Sequence, residues 1–296
     1  MPASRRGEFL ETLLADSSPE VVQEAVRAAA RLQYEKAIPR LVEMLANWRL
    51  RRTAREALSS LGPAAIAELQ RQLHDENSPI EVRRRIPRVL SFTGSQEVCD
   101  TLLHDVQTLE SRIDLALLSG LNRMRQQFPD LSFDVKRVSR RIKQQSQKYR
   151  HWSSILAAID SSIPADSGNE HVLDLLQKTL KEKLDECIEK TFRLLALIYP
   201  PDDVYSAFFS LRTRPGLRGS AVEFIDNLLN PNLRDHVVQM IESEEPEEMP
   251  AEVHDAFRSR DDILRALLSS GDTWLIHIAN ELSDRAGLIP APSRIA

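Results

Sequence analysis

The chain has 296 residues, of which 42% are hydrophobic, 5% aromatic and 28% charged, with nine Gly and a formal net charge of −5. That is apolar material for one elongated domain or two compact ones, and few Gly and aromatic residues beside abundant Leu, Ala, Arg and Glu exclude a β-rich fold and predict an all-α one. The longest apolar run, Leu194 to Tyr199, falls far short of the roughly 18 to 20 residues that span a bilayer, and the N-terminus has no apolar signal core, so the expectation is a soluble, cytoplasmic chain that is not exported.

Residues 1–8 are polar, and Phe9 to Leu14 offers a short apolar turn able to cap the open end of the first hairpin. That hairpin begins at Ser18-Pro19-Glu20. Its first helix carries Val22, Val26 and Ala29, the chain breaks near Gln33-Tyr34, and a second helix enters through Ala37-Ile38-Pro39 to bury Leu41, Val42 and Leu45. Pro39 sits where a missing N–H costs nothing. The second hairpin packs Leu50, Ala54, Ala57 and Leu58, turns at Gly62-Pro63, a helix stop followed by a helix start, and returns through Ile66, Leu69 and Leu73. The third opens with Ser78 to Gly94, which sets Val82, Ile86, Val89 and Leu90 on one side and Arg84 and Arg88 on the other; a helix from Ser95 through Val98, Leu102 and Val106 completes it. Pro87, inside its first helix, should remove a backbone hydrogen bond and bend the axis. The first helices share a register: the i, i+4, i+8 triplets Val22/Val26/Ala30, Leu50/Ala54/Leu58, Val82/Ile86/Leu90 and Ile113/Leu117/Leu121 succeed one another at intervals of 28, 32 and 31 residues. A repeat of that length made of amphipathic helices predicts stacked helical hairpins.

After Met124 the short period lapses. Residues 134–160 read as one long amphipathic helix with Val135, Val138, Ile142, Tyr149, Trp152, Ile155 and Ile159 on its apolar face. A loop at 163–168 leads to a partner helix from about Glu170 to Tyr199, which Pro200-Pro201 terminates. Short helices resume at Asp202–Leu211, Gly216–Leu229 and Pro231–Glu242, and Glu242 to Asp255 then carries seven acids, two Pro and no base. A last pair, Asp261–Leu268 and Asp272–Ala286, repeats the triplet as Trp274, Ile278 and Leu282. The expected organisation is a repeat solenoid over 9–242, an acidic linker over 243–258 and a C-terminal helical pair over 259–287.

Chemistry is sparse. No Gly-x-Ser-x-Gly elbow, phosphate-binding Gly loop, Gly-x-Gly-x-x-Gly or His-Glu-x-x-His occurs, and the seven His are scattered without metal spacing. Glu252, His254 and Asp255 are close in sequence, but acidic linkers produce such clusters without a metal, and none is assigned. Cys99 and Cys187 are isolated and read as reduced core thiols. No catalytic residue, cofactor or metal is therefore expected. Charge is more informative: residues 1–160 hold 25 Lys and Arg against 20 Asp and Glu, and 161–296 hold 14 against 24, so the halves have opposite sign. Arg84 and Arg88 project outward, and Arg52 and Arg55 fall at similar places one repeat earlier, so recurrence aligns them into a candidate surface for an acidic partner. The ordinary alternative is a solvated, salt-bridged ridge. Arg137, Arg140 and Arg141 join them from a run, Val135 to His151, with seven bases and no acid, on which the acidic linker either docks or, in the ordinary alternative, stays solvated independently.

The roughly 30-residue period, the Ser-Pro-Ile-Glu-Val-Arg start at Ser78, the Ala-Ile-Pro-Arg-Leu-Val helix at Ala37 and the Leu-Gly-Pro-Ala-Ala turn at Leu61 resemble short HEAT-like repeats of the bacterial type. The expected fold is then a right-handed α-solenoid of HEAT-like, armadillo-type hairpins. Four segments extend the likeness: Arg83 to Leu90, Leu121 to Arg125, Phe192 to Pro200 and Glu223 to Leu229 are similar to the soluble HEAT-repeat region attached to bacterial membrane proteins of the ATP/ADP translocase family, over about residues 18–242. This resemblance implies a docking or regulatory module at the cytosolic face of a membrane protein or an anionic membrane surface. Transport residues cannot be carried over, because in such fusions transport belongs to membrane helices that this sequence does not contain. Repeat type alone also admits a bilin lyase or a DNA glycosylase, but no residue marks a chromophore pocket and an acidic chain with dispersed Trp is ill suited to DNA. The reading adopted is a non-enzymatic scaffold that binds protein, with no nucleic acid expected.

Overall fold

The computed structural model describes residues 3–162, 169–242, 257 and 259–285. The expected loop at 163–168, nearly all of the acidic linker and the Glu252/His254/Asp255 cluster lie outside them. Every regular element among the described residues is helical. By internal contacts the chain divides into two units, Met1–Val138 with Ala196–Ile198, and Ser139–Leu195 with Tyr199–Ala296.

The first unit starts with α1 (Ala3–Leu14), which packs on α2 (Pro19–Arg31). The Ser18 hydroxyl accepts from the Val21 N–H and Pro19 enters the first turn, so α2 begins with its loose donors satisfied. The chain turns at Gln33, whose φ is +50°, and returns as α3 (Ile38–Glu43). The second hairpin is α4 (Arg51–Ser60) and α5 (Pro63–His74). The third is α6 (Ile80–Arg83), α7 (Ile86–Leu90) and α8 (Gln96–Asp105), after which comes α9 (Ser111–Gln127). The first helices α2, α4, α7 and α9 pack one on the next, and α3 packs on α5 in the second layer. The triplets are what hold this row: Val26, Ala54, Ile86, Leu90, Ile113, Leu117 and Leu121 are completely buried, and of the twelve positions Ala30 alone stays half-exposed, its place taken by Ala29. The fold is therefore all-α and built of stacked helical hairpins.

Pro87 acts more strongly than a bend. It has no N–H to donate and its ring crowds the carbonyl four residues back, so the first helix of the third hairpin breaks at Arg84-Arg85 into α6 and α7. The break brings Gly120 of α9 against it: a Cβ on Gly120 would lie 2.8 Å from the Pro87 carbonyl oxygen. Between the second and third hairpins runs a polar seam in which Arg83 and Asp105 are buried. Arg83, 2% exposed, donates Nε–H to the Leu73 carbonyl at 3.0 Å. His74 Nδ1 lies 2.7 Å from the Gln70 carbonyl and its Nε2 3.0 Å from Oδ1 of buried Asp105.

The two long helices expected, α10 (Val135–Ser162) and α11 (Glu170–Ile198), give the second unit residues 139–162 and 170–195, and it continues with α12 (Pro201–Thr213), α13 (Arg218–Leu228), α14 (Pro231–Glu242), α15 (Arg260–Leu268) and α16 (Thr273–Arg285). Ile155, Ile159, Leu176 and Leu180 of the long pair share one core with Ile263, Leu267, Leu275, Ile278 and Leu282 of the last two helices. Lys183 binds Asp272 at 2.5 Å, tying α11 to the start of α16. One register expectation fails here. Trp274 is 52% exposed and Leu275 is fully buried, so the core-facing stripe of this helix is Leu275, Ile278, Ala279 and Leu282.

Candidate partner-binding surface

Three successive first helices bring arginines together. On α4, Arg51 and Arg55 are one turn apart along the edge of the stripe formed by buried Ala54, Ala57 and Leu58. Arg85 precedes α7 and Arg88 lies within it, with Phe92 just beyond its end, and Arg123 lies on α9. The Arg55 guanidinium sits 6.0 Å and that of Arg123 5.7 Å from the centre of the Phe92 ring, which is itself 38% exposed. An aromatic face attracts a cation through its quadrupole, so Phe92 holds two arginines side by side that would otherwise separate.

The field in this strip is visible at Arg88. Partial desolvation and then the charges of Arg55, Arg123, Arg51 and Arg85 all disfavour its charged form and push its pKa below the usual guanidinium value, although an arginine stays protonated throughout the working range. None of these five arginines has a carboxylate within 4 Å among the described residues. Elsewhere on the first unit the ordinary pattern holds, with Arg27 on Glu24, Arg40 on Glu43 and Arg71 on Glu68. Like charges facing one another without counter-charges oppose folding, and an anionic ligand would relieve them.

The structure brings together only part of the surface read from the sequence. Arg55 and Arg88 meet. Arg52 points elsewhere and pairs with Glu56 at 3.1 Å, and Arg84, though exposed, is not among the charges that act on Arg88. Arg85, three residues before Arg88, is among them instead. On α10, Arg137 reaches Asp134 at 3.9 Å, Arg141 donates to Gln144 at 3.4 Å and Arg140 is exposed. Sequence reasoning missed Arg51, Arg85 and Arg123. The signal for Arg51 was its i, i+4 spacing to Arg55; that for Arg123 was its position 31 residues after Phe92, the interval of the last two triplets.

Other chemistry stays quiet. Burial pushes the Cys99 thiol up to about 12 and the Cys187 thiol up to about 11, which makes both poor nucleophiles. Among the described residues no three His, Cys, Asp or Glu side chains converge as a metal site, and no helix is long and apolar enough to cross a membrane. Residues 7–59 match the sequence profile of HEAT repeats. No curated protein sequence matches the chain. The matched stretch runs from α1 through nearly all of α4, and the same packing of first helix on first helix continues past it to α9. The first hairpins are thus similar to HEAT repeats, within an all-α row of stacked helical hairpins.

Proposed function

We propose that this protein is a non-enzymatic scaffold whose arginine strip, Arg51, Arg55, Arg85, Arg88 and Arg123, binds an acidic surface of a protein partner. The observation that carries the reading is that the strip has no counter-charges among the described residues, together with its aromatic centre at Phe92. Guanidinium groups suit carboxylates because their paired N–H groups match the two oxygens, and an all-arginine set uses that geometry where lysines would not. A protein partner is favoured over nucleic acid by the whole-chain charge of −5, which repels a long polyphosphate but tolerates a short acidic segment seated on the strip. The resemblance of four segments to translocase-attached HEAT regions supplies a setting for such a partner, the cytosolic side of a nucleotide-transporter-like membrane protein.

The test is binding of polyglutamate to the full chain by calorimetry. The double variant R55E/R88E is expected to weaken it at least tenfold while retaining the native melting profile. Equal binding by the variant overturns the assignment of the strip, and tighter binding of a single-stranded oligonucleotide than of polyglutamate moves the partner class to nucleic acid.

A further inference from the structure

A second site lies in the second unit, on helices that the arginine strip does not use. Five helices, α10 to α14, line a cavity of about 330 Å³. That is within the range of small-molecule sites, which begins near 300 Å³. Leu156, Leu184, Ile188, Leu211 and Ile241 form its apolar wall. Three cations stand around it: Lys181, Arg212 and Arg218. Asp185 is the one carboxylate among the described lining residues and is engaged by Arg212 at 3.0 Å. Arg218 donates to the Ile241 carbonyl, which holds its guanidinium at the cavity edge. Lys181 meets no carboxylate within 4 Å among the described residues.

The decisive feature is Ser153. It is 2% exposed and lines the cavity, yet its hydroxyl makes no hydrogen bond to any described residue. Its neighbour Ser154 donates to the carbonyl four residues back, that of Arg150, at 2.8 Å, a bond of the kind Ser153 forgoes. With no partner among the described residues, a hydroxyl on the cavity wall is available to an acceptor placed inside the cavity. Burial, an apolar wall, an unpaired hydroxyl and a net excess of two positive charges define a ligand with an apolar body and an anionic head.

We infer that this cavity binds a small amphiphilic anion, an alkyl chain ending in a carboxylate or a phosphate. The chain lies along Leu156, Leu184 and Ile188, the head group faces Lys181 and Arg218, and a head-group oxygen accepts the Ser153 O–H. Neutral amphiphiles of the same length lose the charge interactions and bind more weakly.

The test uses the full chain with decanoate, decyl phosphate and decanol, each below the concentration at which it forms micelles, read by calorimetry and by thermal melting. One anion per chain is expected, bound at least about tenfold more tightly than decanol, and the tighter of the two anions identifies the head group. Lys181→Glu, at an exposed position, should leave the melting profile unchanged and weaken the anion about tenfold. Ser153→Val should weaken it as well, and if that variant fails to fold, Lys181→Glu still decides. Binding of decanol equal to that of the anions, anion binding unaltered by Lys181→Glu, or no binding of any of the three overturns the inference.

Discussion

Arg88 shows how one residue's energetics separate structure from function. It sits among four other arginines, so Arg88→Gln removes repulsion as well as charge and is expected to leave the melting temperature unchanged or to raise it. Arg83, five residues earlier, behaves oppositely. Its guanidinium is buried and serves the Leu73 carbonyl, so Arg83→Gln leaves that acceptor without its donor, and melting should fall by several degrees. His74 gives the pH dependence at this scale. Burial opposes its protonation, but the hydrogen bond to Asp105, the Gln70 carbonyl and the Asp105 charge together outweigh burial and the opposing charge of Arg83, and the ring's pKa is raised above its ordinary value of 6.5. Both ring nitrogens face acceptors, which the doubly protonated form alone satisfies. A raised folded pKa means that this stabilisation is complete below the ordinary value and disappears as pH climbs through the folded one. Melting of the native chain minus that of His74→Gln should therefore be larger near pH 5.5 than at about pH 8.5. A difference independent of pH would show that the Asp105 contact does not depend on the ring's charge.

Helices and their junctions set the next level. Gly120→Ala tests the meeting of α9 with the broken helix at Pro87, because two effects of opposite sign compete. Alanine in a helix interior gains about 1 kcal/mol over glycine, whereas a Cβ 2.8 Å from the Pro87 carbonyl forces backbone to move. The neighbour is main chain and cannot swing aside, so destabilisation is expected, read as a drop in melting temperature; a rise would mean that α7 and α9 are not held at this distance. Ile86→Asp tests the row itself. A carboxylate at a completely buried site between packed first helices costs several kcal/mol, and amide protection should fall along α4, α7 and α9 together, because each helix of a stacked row is held by its neighbours. Loss confined to α7 would show that the row is not cooperative.

At the scale of the molecule, net charge and local charge oppose one another. The chain as a whole carries −5 and repels an acidic ligand at long range, while the arginine strip attracts it at contact. Salt screens both, with a Debye length near 10 Å at about 0.1 M, and the contact interactions lose more when they hold the complex together. Polyglutamate binding should weaken steadily as salt rises; strengthening would mean that whole-chain repulsion dominates and that the strip is not the contact. Much of this architecture was open to reading in the sequence. Apolar triplets at intervals of 28, 32 and 31, proline at helix starts and glycine at helix ends are local devices, each encoded within a few residues, so they determine helix positions and the register of the row without knowledge of any partner helix. The division within α10 between Val138 and Ser139 left no trace, because a helix continues through it and only contacts between distant residues define it. The grouping of Arg51, Arg85 and Arg123 with Arg55 and Arg88 was hidden for a related reason. It depends on arginines of α4 and α9 meeting Arg88 and on the Phe92 ring reaching both neighbouring helices, and such juxtapositions exist only once the helices have packed.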